Sequence, residues 1–563
     1  MDYSPVSPCA QMPPLHDRLA PEVDSQPSHS WRTALVVSSV VALVIVTPMI
    51  FFGNAAGHDF QSHLASWMEM AAQWQQGIIF PRWAQWSNWG LGEPRFIFYP
   101  PASWIFGAGL GSMLPWRVVP GALIFVTVLS AGMSMWILAR AWLAETQAYI
   151  ATVIFAANPY HLVMIYYRSD FAELLASALF PLMVLGALGV IRKDWRRIPL
   201  LAIVLGGIWL LNAPAAVVTM YALALLLVAG CILRRSLRPL IYGAIAIVGG
   251  LGLAAFYVLP AAWEQRWVQI ANAVSGRFLA ERNLLFAQIY EASHPGVQSF
   301  NYKVSGVAVG VIVATAIAIF FSRRLIKQGS ELWWLLLALA CASSFLMLPP
   351  SAFLWRHLPQ LRFMQFPWRW LMPLDFALAF FVAAAVSRIR AIWLFVLMLG
   401  LVPAAAAIVR DTHWESHSVA FVAEEIRSEH GYRGIAEFTP LKARISEPYE
   451  DHPAITISDS ERSRLTIEEW TAERRAFFAE TAAPATAVLY LLDYPAWEVR
   501  VNGRAIAANS QPNTGQLVVS LDKGSNHVEV RFRRTWDRTA GGLISGLSFV
   551  ALVLGSFYTR RRQ

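Results

Sequence analysis

The chain has 563 residues, 56% of them hydrophobic and 14% charged, with a mean hydropathy of +0.46 and a formal net charge of +9. Such a composition excludes an ordinary soluble domain and points to a polytopic α-helical membrane protein. The positive excess lies in short clusters between apolar runs, which is an orientation signal rather than a nucleic-acid footprint, so no nucleic-acid partner is expected.

The first 32 residues are polar and Pro-rich, without an Arg-rich pattern or a small-x-small cleavage site, and read as a cytoplasmic tail before an uncleaved first helix. Runs long enough to span follow near 33–52, 118–139, 147–164, 171–191, 198–212, 214–233, 238–259, 303–322, 331–348, 369–387, 391–409 and 538–558, about twelve in all. Arg192-Lys193 with Arg196-Arg197, Arg234-Arg235 with Arg238, Arg323-Arg324 with Lys327, Arg388 with Arg390, and Arg560-Arg561-Arg562 orient them with both termini inside. The stretch Tyr99 to Met113 would flip every later loop if it spanned. It therefore reads as a re-entrant or juxtamembrane helix, started by Pro100-Pro101 and stopped by Pro115.

Four outer pieces result. The first is a large loop, 53–117, opening on Gly57-His58-Asp59-Phe60 with His63 one turn on. Phe60, Leu64, Trp67, Met68, Ala71 and Trp74 recur at helical spacing, so a helix over 59–75 would lie in the interface with Asp59 and His63 on one face. Asp59 is then that helix's N-cap, a carboxylate for catalysis or metal binding, or a solvated surface residue. The second piece is Tyr166-Tyr167-Arg168-Ser169-Asp170-Phe171-Ala172-Glu173. Ionisable groups there are costly unless paired. Either Arg168 closes the hairpin on Asp170 or Glu173, or one of those carboxylates faces Asp59 across a cavity. The third, from about Pro260 to Tyr302, holds Glu264, Arg266, Arg282 and His294 without any marked spacing. The fourth, Leu361-Arg362-Phe363-Met364-Gln365-Phe366-Pro367-Trp368-Arg369, places Arg362 and Arg369 against the positive-inside trend. They are either interfacial anchors or a guanidinium clamp for a lipid phosphate.

A charged segment, 410–537, comes next on the same side. Its second half alternates at 487–492 and 497–501, turns at Asn502-Gly503, and continues at 516–521 and 527–532. That pattern predicts an extracytoplasmic α/β segment ending in an antiparallel β-sandwich, tethered by a last helix within 538–563. Cys9, Cys231 and Cys341 are scattered and predict no disulfide framework. No Gly-rich phosphate loop, His-Glu-x-x-His or nucleophile elbow is present, which disfavours ATP-driven transport and zinc hydrolysis.

The motifs Gly57-His58-Asp59 with His63, Phe80-Pro81-Arg82-Trp83, Asn88-Trp89-Gly90-Leu91-Gly92 and Phe98-Tyr99-Pro100-Pro101 resemble the first outer loop of bacterial membrane proteins labelled 6-pyruvoyl-tetrahydropterin synthase-related. Gln365-Phe366-Pro367-Trp368-Arg369 fits the same pattern. Asp493-Tyr494-Pro495-Ala496-Trp497 to Asn502-Gly503 is similar to the terminal domain of YfhO-like membrane proteins. These families in turn look like the GT-C glycosyltransferases. A chain dominated by membrane spans offers no setting for soluble pterin chemistry. The resemblance implies a GT-C-like transmembrane domain over 33–409, with a catalytic or metal-binding Asp matching Asp59. It also implies a second acidic site at Asp170 or Glu173, and an Arg for the lipid phosphate at Arg369 or Arg362. Arg168, His58 and His63 would support substrate binding. The implied partners are a polyprenyl-phosphate-linked sugar, the bilayer of a bacterial inner membrane and an extracytoplasmic acceptor. A divalent cation, Mg or Mn, is the one cofactor implied. The usual acidic-x-acidic triplet is missing, since Asp170 and Glu173 are three apart, which puts the metal in doubt. Two rival functions stand beside this one: a secondary transporter, and a non-catalytic envelope assembly protein.

Overall fold

A computed structural model describes residues 30–288, 295–322, 331–386, 405–415, 418–445, 452–458, 461 and 463–561. Among these residues, eight helices are long and apolar enough to cross a membrane. They are Ser30–Phe52, Val119–Ala139, Glu145–Arg168, Phe171–Ile191, Ala213–Arg234, Gly296–Ser322, Pro367–Val386 and Trp536–Phe557. Two sharply bent helix pairs raise the number to ten if each is one span.

This is fewer than the twelve runs in the sequence, for identifiable reasons. The run at 198–212 forms only a 14-residue helix, Ile198–Leu211, which is short for a 30 Å hydrocarbon layer. The run at 238–259 breaks at Ala254 and bends by 77°, and 331–348 bends by 90° into Pro349–His357. Most of the expected span at 391–409 lies outside the described residues. The stretch around Tyr99 forms a helix of 11 residues, Pro101–Gly111, with Pro at its start, and is not among the spans.

The apolar core runs continuously through the helical body. A second core lies under the C-terminal strands, and the first loop contributes Trp83, Leu91, Ile97 and Phe98 to it. The strands form two antiparallel sheets. One orders Ile455–Ile457, Ala485–Leu492, Gln516–Leu521 and Asn509–Ser510; the other orders Ser463–Trp470, Arg474–Thr481, Gly524–Phe532, Trp497–Val501 and Arg504–Ile506. Inward residues alternate, as in Trp497, Val499 and Val501, so both sheets bury one face. Asn502 and Gly503 both have positive φ, 51° and 78°, the conformation a two-residue hairpin turn requires.

Several ties fix this strand region to the first loop and to the last helix. Trp83 packs edge-on to Trp497 at 5.3 Å. The Leu492 amide donates to the Leu91 carbonyl at 3.0 Å. Buried Glu264 accepts from Nε and Nη2 of Arg538, each at 2.8 Å, and from the Tyr494 hydroxyl at 2.6 Å, locking the last helix in place. A two-residue antiparallel pairing of Asn54–Ala55 with Trp414–Glu415 closes the start of the first loop onto the segment after residue 405.

Candidate functional site

The helix expected to begin at Asp59 spans Phe60–Gln75, with Asp59 in the cap position. Its side chain makes no capping bond. The carboxylate instead pairs with the Arg168 guanidinium, 109 residues away in sequence. The local alternatives for both residues therefore fail together: Asp59 is not spent on its own helix, and Arg168 does not close its own hairpin.

Arg168 is delivered by an irregular helix. Asn158 accepts from the His161 amide at 2.7 Å and Pro159 follows, so a new short helix starts there inside the apolar run. It passes into a π-helical stretch, Val163–Arg168, ended by Ser169 at φ 51°. Insertion of π geometry re-aims the last side chains of a helix. The Gly57 backbone lies flat against this turn. A Cβ on Gly57 would come within 2.5 Å of the Arg168 carbonyl carbon, so only glycine fits. The Gly57 amide donates to Ser169 Oγ at 2.9 Å, and the Asp59 amide to the Arg168 carbonyl at 2.9 Å.

The remaining charges interlock behind this pair. Arg369 Nε donates to Glu173 Oε2 at 2.7 Å, and its Nη2 lies 3.7 Å from Asp170 Oδ2. A further guanidinium nitrogen of Arg369 donates to the Met364 carbonyl. His63 Nε2 lies 3.6 Å from Asp170 Oδ1, while the Tyr160 hydroxyl donates to Glu173 Oε1 at 2.5 Å. Asp170 also caps the next helix by accepting the Glu173 amide at 3.0 Å. Phe366 offers its face to both guanidinium groups, with centroid distances of 5.0 Å to Arg168 and 5.1 Å to Arg369.

Burial pushes the Asp170 carboxyl up, but the hydrogen bond and charge of His63, with Arg369 and Arg168, outweigh it and hold it below the usual range. Burial and the negative charges of Asp170 and Asp59 push the nearby Tyr99 hydroxyl well above its ordinary value, so it remains a donor. Two groups stand apart in availability. The Asp59 carboxylate is 32% exposed, whereas those of Asp170 and Glu173 are at most 6% exposed. Arg168 Nε is buried without a hydrogen-bond partner, whereas Arg369 is engaged on three sides.

The structure thus brings Asp59, His63, Arg168, Asp170, Glu173 and Arg369 into one assembly. It does not include Arg362, which is exposed and stacks only on Phe363. Arg362 lies within the short helix Leu361–Met364, whereas Arg369 lies in the following turn, Pro367–Trp370. His58 is exposed and points to Phe300, 4.8 Å between ring centroids, so it does not support Asp59 directly. Of the third-loop residues, Glu264 belongs to the Arg538 lock, Arg266 stacks on Trp263, and His294 lies outside the described residues. A divalent cation does not fit the residues as arranged. Each carboxylate already faces an arginine, and among the described residues no three of His, Cys, Asp and Glu gather as metal ligands.

Sequence reasoning missed Tyr160, which sits in an apolar run and gives no signal of its own. It also missed a buried network behind the site. Glu69 accepts from the Gln85 and Trp86 amides, from Gln73 Nε2 and from the Tyr432 hydroxyl. Arg95 donates to Glu93 at 2.8 Å, Ser66 at 3.1 Å and Ser87 at 3.0 Å. The Glu93-x-Arg95 pair in an otherwise apolar stretch was its one visible trace.

No protein-family model matches the chain, and no curated protein does. Among solved structures, two of arabinofuranosyltransferase AftD from Mycobacteria are similar. One aligns with a TM-score of 0.43 and 16% identity over 68% of this chain and 28% of that one. The other gives 0.44 and 16% over 67% and 26%. The chain spans about a quarter of the length of those proteins.

Proposed function

We propose that the chain is a membrane glycosyltransferase that moves a sugar from a polyprenyl-phosphate donor to an acceptor on the outer face of a bacterial cell membrane. The observation that carries this reading is the Asp59–Arg168 pair. It couples a partly exposed carboxylate to a guanidinium with an unmet buried donor, at the ends of apolar helices where a lipid phosphate would lie. The loop motifs resembling GT-C glycosyltransferases support the same reading.

In this mechanism the donor phosphate binds Arg168, for which planar guanidinium geometry suits phosphate oxygens. Engagement of Arg168 releases the Asp59 carboxylate, which accepts the proton of the acceptor hydroxyl. The acceptor oxygen bonds to the anomeric carbon as the bond from that carbon to the phosphate oxygen breaks, and polyprenyl phosphate leaves. Inversion follows from a single displacement. Arg369, fixed by Glu173, Asp170 and the Met364 carbonyl, holds Phe366 against Arg168. Asp170 and Glu173 act as positioning residues.

One observation favours the transporter reading. Asp375 lies wholly buried within a span, accepting the Tyr160 amide at 2.9 Å through one oxygen while the other has no partner. Vesicles reconstituted with the protein and a labelled polyprenyl-phosphate sugar separate the two. A labelled covalent product on an outer acceptor supports transfer. Uptake of label without any covalent product overturns it in favour of transport.

A further inference from the structure

The surface beside Asp59 carries a cleft of about 230 Å³ that the mechanism above does not use. Its wall includes Gly57 and His58, so the Asp59 backbone follows directly from it. Across the cleft stand Tyr167 and Phe300, with Lys303, Asp411 and His413 at the rim. Phe300 is edge-on to His58 at 4.8 Å and to Tyr167 at 6.4 Å. Lys303 Nζ bonds Asp411 Oδ2 at 2.9 Å and sits 5.6 Å from the Tyr167 ring centroid.

The lining selects a chemistry. Aromatic faces accept the C–H surface of a ring, and an ammonium–carboxylate pair with two imidazoles offers donors and acceptors to neighbouring hydroxyls. The charge of Lys303 is balanced by Asp411, and Glu415 lies 3.7 Å from His413, so the rim does not favour an anion. The volume falls below the roughly 300–1,000 Å³ of sites that take drug-sized ligands, and suits a single ring. A neutral saccharide unit meets all three conditions; a phosphate or a lipid tail does not.

Resting on the glycosyl-transfer reading, we infer that this cleft is the acceptor subsite and that the acceptor is a neutral saccharide whose free hydroxyl reaches Asp59. Donor and acceptor then approach the Asp59–Arg168 pair from different sides, the phosphate at Arg168 and the acceptor ring between Phe300, Tyr167 and His58.

The test uses the full-length protein in detergent with a panel of methyl pentosides and hexosides as probes. Saturation-transfer NMR should show contact with at least one glycoside in the wild type and in Asp59→Asn. It should show a tenfold or greater loss of affinity in Phe300→Ala and in Asp411→Asn, and retention in Phe300→Trp, which keeps an aromatic face. In the transfer assay the bound glycoside should itself become labelled by the polyprenyl-phosphate sugar. Absence of contact with every glycoside, or contact unchanged in both Phe300→Ala and Asp411→Asn, overturns the inference. A glycoside that binds and competes with the donor without becoming labelled assigns the cleft to the donor sugar, and also overturns it. Binding that persists while the wild type transfers label to no acceptor overturns the glycosyltransferase reading, leaving only a saccharide site.

Discussion

Replacing Glu69 with Gln should change how the stability of the protein depends on pH. Glu69 is 0% exposed and joins the helix that follows Asp59 to Tyr432 of the later segment. Burial raises its carboxyl from 4.5 to about 7, against the opposing pull of the Tyr432 hydroxyl, Arg95 and two backbone amides. The folded chain therefore holds this proton in a range where the unfolded chain has lost it. The stabilisation is present in full below pH 4.5 and is lost as pH rises through 7. At about 1.4 kcal/mol per pH unit, the swing is roughly 3 kcal/mol. Gln mimics the protonated acid, so Glu69→Gln should match the wild type near pH 4.5 and exceed its stability above pH 7, by up to roughly that amount. Tryptophan fluorescence during unfolding in detergent provides the readout. Glu437 and Glu473 are also raised by burial, but they contribute equally to both proteins and cancel in the difference. A difference that stays flat from pH 4.5 to 8 would refute this account of the buried network.

Four further outcomes follow from the same geometry. Arg369→Met strands two buried carboxylates and should cost roughly 3–5 kcal/mol, the scale for breaking a buried ion pair from one side. Combining it with Glu173→Gln should recover part of that loss, as unfolding of single and double variants will show. Gly57→Ala should displace the Arg168 turn and lower transfer activity while leaving the strand region folded, since its Cβ has nowhere to go. Arg168→Lys should raise the KM for the polyprenyl donor more than it lowers kcat, because a point charge replaces a planar fork.

The parts of this site legible in the sequence were those whose residue types are out of place. Asp59, Arg168, Asp170, Glu173 and Arg369 are ionisable groups beside apolar runs, and their cost there announced them. Their pairing was not legible. The Asp59–Arg168 pair joins loops 109 residues apart, and only the fold decides that Arg168 turns away from its own hairpin. Tyr160 was hidden for the opposite reason, being an aromatic in an apolar run. The Asn502-Gly503 turn and the strands on either side were readable because turn chemistry and alternation are local. Ser463–Trp470 was not, since most of its residues are exposed and neither face is buried. Run length and helix length part where helices bend or fall short, as at Ala254 and Ile198–Leu211, because run length alone does not register a break.

In the proposed mechanism Asp59 takes the proton from the acceptor. The most direct measurement is the rate of label transfer from a polyprenyl-phosphate sugar by Asp59→Asn, alongside wild type of matched unfolding temperature. The loss expected for a missing general base is about 10²–10⁴-fold, with donor binding retained through Arg168. A correctly folded Asp59→Asn that transfers at the wild-type rate would contradict the account.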